Sequence, residues 1–179
     1  MLGCYDFIGH YDWSFEWFRK KGGEALAKRY WVEAIPQSQP HNIAALIQTE
    51  GFEGMNKHWG GGRLNEEGGT FFTRGEDHFR MDVHECATLG FLKRNKLKFY
   101  HDYCHHCAEW VNPVVESAGF ILYAEHDHQG HCFFEFRRKD DSAPPLPPEQ
   151  MGARDVRNMP DWNRDAIHRF VKTRETGQD

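Results

Sequence analysis

Residues 120–137 read Phe-Ile-Leu-Tyr-Ala-Glu-His-Asp-His-Gln-Gly-His-Cys-Phe-Phe-Glu-Phe-Arg, and this stretch decides the fold. Its two ends are rich in aromatic and aliphatic residues, and a polar run that ends at Gly130 separates them. Two such runs around a short turn are typical of a β-hairpin. We therefore predict a closing hairpin with strands over 120–125 and 132–137, and we place Cys132 on its apolar face.

A second strand is predicted upstream of the hairpin. Apolar and polar residues alternate in the run Phe79-Arg-Met-Asp-Val-His-Glu-Cys86, which is the two-residue period of a strand with two different faces. The apolar face is expected to meet the core. The polar face, which ends in His84 and Cys86, is either the wall of a site or a solvated outer face.

Helices are predicted on both sides of a glycine-rich segment. A helical layer over 12–50, interrupted at Gly22 and Gly23, precedes a loop over 51–69 that is either an anion cradle or a surface loop. Helical spacing returns after the upstream strand. Helices are predicted there over 87–94 and 97–110, followed by a short helix that begins at Asn112-Pro113 and ends at Ala118.

The C-terminal part changes in composition. Residues 140–150 are rich in proline and predict an extended tether. Within 151–179, the apolar residues of 161–172 favour an amphipathic helix that docks on the domain or on a second subunit, so a homodimer through this helix is predicted. The fold class is therefore α+β: residues 1–139 form one domain with N-terminal helices on a small antiparallel sheet, followed by a tethered helix.

Composition excludes several classes of function. The chain has 179 residues, a net charge of -5 and a pI near 6.2, which argues against a broad nucleic-acid surface. It has no apolar run near the length of a membrane span, so a cytoplasmic protein without a membrane partner is expected. Its five cysteines are an odd number that lies close to many histidines, which favours reduced thiols or metal ligands over disulfides.

Cysteine and histidine recur at three points between residues 84 and 132. In the middle segment, His101, Cys104 and His105 share one helix face by their spacing, and Cys107 lies one turn beyond Cys104. With His84 and Cys86, this segment predicts a metal site of His84, Cys86, Cys104 and Cys107 for zinc or iron. The third point holds Cys132 and three turn histidines, listed as His126, His128 and His131, which either rim the pocket or meet only water. His168 is treated as background.

Three runs carry a family resemblance: 79–86, Phe99-Tyr-His-Asp-Tyr-Cys104, and Gly130-His-Cys132-Phe-Phe-Glu-Phe. Together they resemble the C-terminal half of the L-2-amino-thiazoline-4-carboxylate hydrolase family, over Phe79 to Arg138. The closing hairpin is also similar to that of vinyl-reductase-type small-molecule-binding domains. The resemblance implies that Cys86, Cys104 and Cys132 correspond to cysteines of the family, and that the ligand is a small polar or flat organic molecule.

The resemblance favours an enzyme that hydrolyses a cyclic C–N bond of amidine, amide or thiazoline type. In one version Cys104 is the nucleophile and His105 or His101 is its base. In the other, a zinc or iron ion activates water while Glu125 or Glu85 moves the proton. Two alternatives stay open: a sensor module that binds a small molecule or metal without turnover, and a structural zinc site with a partner-binding tail.

Overall fold

The computed structural model describes residues 5–38, 40–60 and 69–171. Residues 61–68 of the predicted glycine-rich loop and residues 172–179 of the predicted tail lie outside the described residues. The helices are α1 Tyr5–Arg29, α2 Ile35–Gln37, α3 Ala45–Glu50, α4 Phe52–Met55, α5 Ala87–Arg94, α6 His105–Ser117 and α7 Pro148–Met151. The strands are β1 Gly69–Arg74, β2 His78–Glu85, β3 Phe120–His126, β4 Cys132–Arg138 and β5 His168–Val171.

Wider or tighter helical turns fill the gaps between these elements. π-helical turns span Tyr30–Ala34, Pro40–Ala44 and Asn56–Gly60, and 3₁₀ turns span Gly152–Arg154, Val156–Asn158 and Arg164–Ala166. Among the described residues, no helix is long and apolar enough to cross a membrane.

The five strands form one antiparallel sheet in the order β1-β2-β4-β3-β5. The predicted α+β class is confirmed, as is the hairpin of β3 and β4. Asp127 shapes the hairpin turn, because its buried carboxylate accepts the backbone N–H groups of Gln129 (2.7 Å) and His131 (3.2 Å). Gly130 follows with φ 97°, a left-handed conformation that glycine adopts without strain.

The helices pack on one face of the sheet, which we call the helix face. Its core joins apolar side chains of β2, β3 and β4 to those of α6, α3 and α4. The members that define it are Phe79, Met81, Leu122, Ala124, Phe134 and Phe136 from the sheet, and Ala108, Val111, Val114, Val115, Ile47 and Met55 from the helices. A second cluster fixes α1 against α5 through Phe15, Leu89 and Leu92. The helical layer thus covers the face on which Cys132 lies.

The opposite face of the sheet is also buried, under the C-terminal segment. Trp162 and Val156 pack there on Phe133. The guanidinium of Arg80, with no exposed surface, lies over the ring of Phe133 at 4.1 Å. It contacts three buried carboxylates, those of Asp82 (2.7 Å), Glu135 (3.1 Å) and Asp155 (2.8 Å). At Arg80 the polar face of β2 is therefore buried in an internal network of ion pairs, which is neither of the two predicted alternatives, a solvated face or the wall of a site.

The C-terminal segment differs from the prediction. The predicted tether is held against the sheet, because Leu146 donates its backbone N–H to Glu135 and accepts from Arg157 (2.6 Å). The described part of the segment predicted as an amphipathic helix, residues 161–171, is not α-helical. It contains a 3₁₀ turn and then β5; Ile167, just before β5, packs with Phe133 and Trp162, whereas Phe170 in β5 packs against the core of the helix face. The predicted dimer therefore loses the helix on which it rested.

Three helix boundaries also differ. The first helix begins at Tyr5, before the predicted start at residue 12, and the carboxylate of Asp12 accepts the backbone N–H of Tyr100. The break at Gly22 and Gly23 is confirmed. The predicted helices over 97–110 and from Asn112 are replaced by turns followed by one continuous helix with Pro113 inside it.

Candidate functional site

The candidate site lies at one end of the sheet, on the helix face. His126, at the end of β3, pairs with His168 of β5 on one side and with Cys132 of β4 on the other. Directly paired residues project to the same face, and Ala124 and Phe134, two residues from His126 and Cys132, belong to the core under α6. One row across the sheet therefore presents two imidazoles and a thiol to the helix.

The first turn of α6, Cys104-His-His-Cys107, lies over this row. The ring of His105 is stacked on that of His168 at 4.1 Å between centroids and lies 4.9 Å from that of His126. Cys107 packs against the same core as Cys132. The turn thus places the imidazole of His105 over those of His126 and His168, and Cys107 against the core that Cys132 also contacts.

We call His105, His126, His128 and His168 the histidine cluster. His128, in the hairpin turn, has its ring 4.4 Å from that of His126 and 5.1 Å from that of His105. One ligand atom from each of His105, His126 and His168 lies within 4.8 Å of the others, and the same holds for the trio of Asp102, His105 and His128. His126 is buried, whereas the other members and Asp102 are partly exposed. The cluster therefore opens to solvent on one side.

Burial favours the uncharged form of His105, His126 and His168. It lowers the pKa of His126 to about 2, and repulsion from His105, His128 and His168 adds to the effect. Burial also lowers the pKa of His105 to about 4 and, with repulsion from His128, lowers that of His168. Neutral imidazole is the form that binds metal ions. At neutral pH His105, His126 and His168 therefore offer nitrogen lone pairs without a competing proton.

Two nitrogens of the cluster have no hydrogen-bond partner. His126 is only 4% exposed, yet its Nε2 is unpaired, and so is the buried Nε2 of His105. A buried polar atom without a partner is costly, and an ion at the site would satisfy both. Nδ1 of His126 accepts the backbone N–H of His128 over a long 3.3 Å. Coordination through Nε2 would give up only this weak bond, so the residues fit a metal ion.

The four described cysteines are partly buried: Cys86 and Cys104 pack against the cluster that joins α1 to α5, and Cys107 and Cys132 pack against the core of the helix face. Gly130 links two of them, because its carbonyl accepts the N–H of Cys86 (3.1 Å) and its own N–H bonds to the thiol of Cys104. Burial raises the pKa of Cys104 to about 12, with Cys86 as the next cause. Burial, followed by Cys86, also raises the pKa values of Cys107 and Cys132. These thiols are therefore protonated in the metal-free protein.

The predicted metal set is only partly brought together. Cys86, Cys104 and Cys107 are neighbours, but His84 lies on the opposite face of the sheet, where its Nε2 contacts the carbonyl of Arg154 at 2.8 Å. Because residues of a strand alternate between faces, His84 projects away from α6 and from these cysteines. None of the groups of described residues that could hold an ion together includes a cysteine.

The predicted catalytic set is dispersed. His105 contacts the histidine cluster, while Cys104 contacts Gly130. His101 is exposed and lies 3.3 Å from Asp102. Glu125 is on the face opposite to the histidines and binds Nε of Arg169 at 3.0 Å. Among the described side chains, the geometry therefore supplies no imidazole base at Cys104.

The sequence prediction missed His168. The run Ile167-His-Arg-Phe170 alternates like a strand, and this period would have placed His168 on the same face as Phe170. The pairing with His126 depends on a long-range contact that spacing alone does not give.

Comparison of the chain with known proteins gives no match. No family model, no curated protein and no solved structure matches it. The candidate site is therefore interpreted from its own residues.

Proposed function

We propose that the protein is a metal-dependent hydrolase that opens a cyclic C–N bond in a small polar molecule, with the ion on His105, His126 and His168. The observation that carries this proposal is the convergence of three neutral imidazoles, two of which have a buried, unpaired Nε2. Three histidines that leave a coordination position open are typical of catalytic zinc sites. When bound, such an ion activates water and polarises a carbonyl or amidine group.

The residues around the ion have distinct roles in this proposal. Asp102 lies within ligand distance of His105 and His128 and is partly exposed, so its carboxylate can accept a proton at the open side. Lys28 and Glu109, which pair at 3.0 Å, lie near His168 and supply both charges at the rim. A polar substrate suits such a rim.

The thiol version of the mechanism has less support. Burial raises the pKa of Cys104 to about 12, which keeps its thiol protonated, and only a thiolate is an effective nucleophile. The role predicted for Glu125 has the same weakness, because this carboxylate faces away from the histidine cluster and pairs with Arg169. The type of bond is proposed from the sequence resemblance.

The test combines metal content with a substrate screen. Purified protein, loaded with zinc and freed of excess by gel filtration, is analysed for metal and assayed for ring opening of cyclic amides, amidines and thiazolines. We expect about one zinc per chain at the histidine cluster. His126→Ala should lose this ion and turnover together, and Asp102→Asn should retain the ion with turnover lowered by roughly 10²-fold or more.

His10→Ala is the matched control, since His10 is an exposed histidine of α1. It should change neither quantity. Zinc content that is the same in His126→Ala as in the natural protein contradicts the ligand assignment. Stoichiometric zinc without turnover of any ring contradicts the hydrolase and favours a binding module.

A further inference from the structure

Exposed apolar side chains and lysines outside the histidine cluster meet on one surface of the protein. We propose that this surface docks on a membrane that contains anionic lipids, which the protein touches without crossing. We call it the aromatic–lysine face. It consists of Trp13, Trp17, Lys20 and Lys21 of α1 together with Lys96, Leu97, Lys98 and Phe99. The proposal goes beyond the proposed function and does not depend on it.

The exposure of large apolar side chains is concentrated at this face. Six of them are exposed among the described residues, and all except Phe71 belong to α1 or to the segment 97–99. Trp13 is 64% exposed, Trp17 41%, Leu97 47% and Phe99 39%. Single exposed apolar residues are normal on a protein surface, whereas a contiguous group of them marks a site of interaction with another molecule.

The two segments of the face lie side by side. The carboxylate of Asp12 accepts the backbone N–H of Tyr100. This bond brings Trp13 and Phe99, the chain neighbours of the two bonded residues, next to each other at the surface. Because residues four apart share one face of a helix, Trp17 extends the row from Trp13 by one turn. The exposed rings therefore form one surface.

Lysines are interleaved with these rings. On α1, Nζ of Lys21 lies 5.8 Å from the centre of the Trp17 ring. Lys96 and Lys98 alternate along the chain with the apolar residues of the other segment and are exposed. A lysine side chain lies along apolar surface while its ammonium group stays at the polar boundary. Tryptophan combined with lysine is typical of protein surfaces that lie in the headgroup region of a bilayer.

The charge of this face is opposite to that of the whole chain. Its four lysines and the nearby Arg19 supply five positive charges, whereas the described part of α1 has three carboxylates. Each of these is engaged within the protein: Asp12 with the backbone of Tyr100, Glu16 with Arg19 at 2.7 Å, and Glu24 with the hydroxyl of Tyr100. An excess of positive charge on a chain of net charge -5 favours an anionic partner.

A lipid surface fits this face better than a second copy of the chain does. Two copies joined through the face would place their lysines against one another, and lysine is depleted at protein–protein interfaces. Anionic lipids instead attract each lysine that lies near the membrane surface. The sequence prediction of no membrane partner rested on the lack of a spanning run. Docking in the headgroup region needs no such run, because only side chains enter it.

The experiment mixes the purified full-length chain with vesicles of two compositions, phosphatidylcholine alone and phosphatidylcholine with about 30% phosphatidylserine. Co-sedimentation measures binding, and tryptophan emission reports whether the rings leave water. We expect the natural protein to bind the serine-containing vesicles with a blue shift of its emission, and to bind phosphatidylcholine alone roughly tenfold more weakly or less. Salt at about 1 M should release the protein, because it screens charges within about 3 Å.

Two double variants test the two components of the face. Trp13→Ser with Trp17→Ser, and separately Lys96→Glu with Lys98→Glu, should each weaken co-sedimentation roughly tenfold or more. The matched controls are Phe71→Ser, at an exposed aromatic residue outside the face, and Lys139→Glu, at an exposed lysine outside it. Both controls should bind the serine-containing vesicles as the natural protein does. All these side chains are exposed or half-buried, so the variants should fold.

Three results would overturn the proposal, and each leaves the proposed hydrolase untouched. The first is a natural protein that does not sediment with the serine-containing vesicles. The second is binding of equal strength by the natural protein and both double variants. The third is self-association in analytical ultracentrifugation that the Trp13→Ser, Trp17→Ser double variant abolishes, with no binding to vesicles, which would assign the face to a second copy of the chain.

Discussion

Acidification of the metal-free protein should destabilise it through His126. The ordinary pKa of histidine, 6.5, applies to the unfolded chain, whereas burial lowers the pKa of His126 in the folded chain to about 2. Between pH 7 and pH 5 the imidazole of His126 therefore becomes protonated in the unfolded state but not in the folded state. The stability that the neutral imidazole contributes is fully present above its pKa in the unfolded chain. It falls as the pH decreases from that value towards the pKa in the folded chain.

The size of the effect follows from this difference. A pH of 5 lies about 1.5 pH units below the pKa of this imidazole in the unfolded chain, and each unit corresponds to about 1.4 kcal/mol of stability. His126 alone should thus lower the free energy of unfolding by about 2 kcal/mol when the pH falls from 7 to 5. His105, whose pKa burial lowers to about 4, adds a similar amount over the same range.

Urea unfolding at several pH values, in the presence of a chelator, measures this dependence. The variant His126→Gln removes the titrating group, so its loss of stability between pH 7 and pH 5 should be smaller than that of the natural protein by about 2 kcal/mol. His10→Gln, at an exposed position, should keep the natural dependence. Parallel curves for the natural protein and His126→Gln would refute the claim that His126 is buried and neutral.

Two further predictions concern metal binding and the ion-pair network. Zinc at 100 times its dissociation constant should stabilise the natural protein by about 2.7 kcal/mol, as measured by thermal unfolding. The variant His126→Ala should lose the part of this stabilisation that comes from zinc at the histidine cluster. Arg80→Ala should lower the free energy of unfolding in urea by about 3–5 kcal/mol, because it leaves three buried carboxylates without their cation. Arg19→Ala, which removes a surface pair with Glu16, should lower it by less than about 1 kcal/mol. Equal losses in the two variants would contradict the ion-pair network.

The sheet was the predictable part of the fold. The hairpin of β3 and β4 and the strand over 78–85 follow from a local two-residue period, and the structure confirms both. The same reasoning failed at 161–172, where spacing compatible with a helix is overridden by pairing of β5 with β3. Such pairing is a long-range interaction, and local propensity does not contain it.

The candidate site was predictable in its ligand types but not in their grouping. The run from Cys104 to Cys107, singled out in the sequence, contains His105, which lies in the histidine cluster. The stacking of His105 on His168, and the packing of Cys107 against the core that Cys132 also contacts, depend on where the strand ends meet the helix. The misplacement of His84 has a similar cause, since the C-terminal segment buries the face that was expected to be open.

Anomalous diffraction at the zinc absorption edge, from crystals grown with zinc, tests the central claim most directly. The account predicts a strong anomalous peak bounded by nitrogen atoms of His105, His126 and His168. A zinc-loaded crystal with no anomalous density among these three side chains would contradict it.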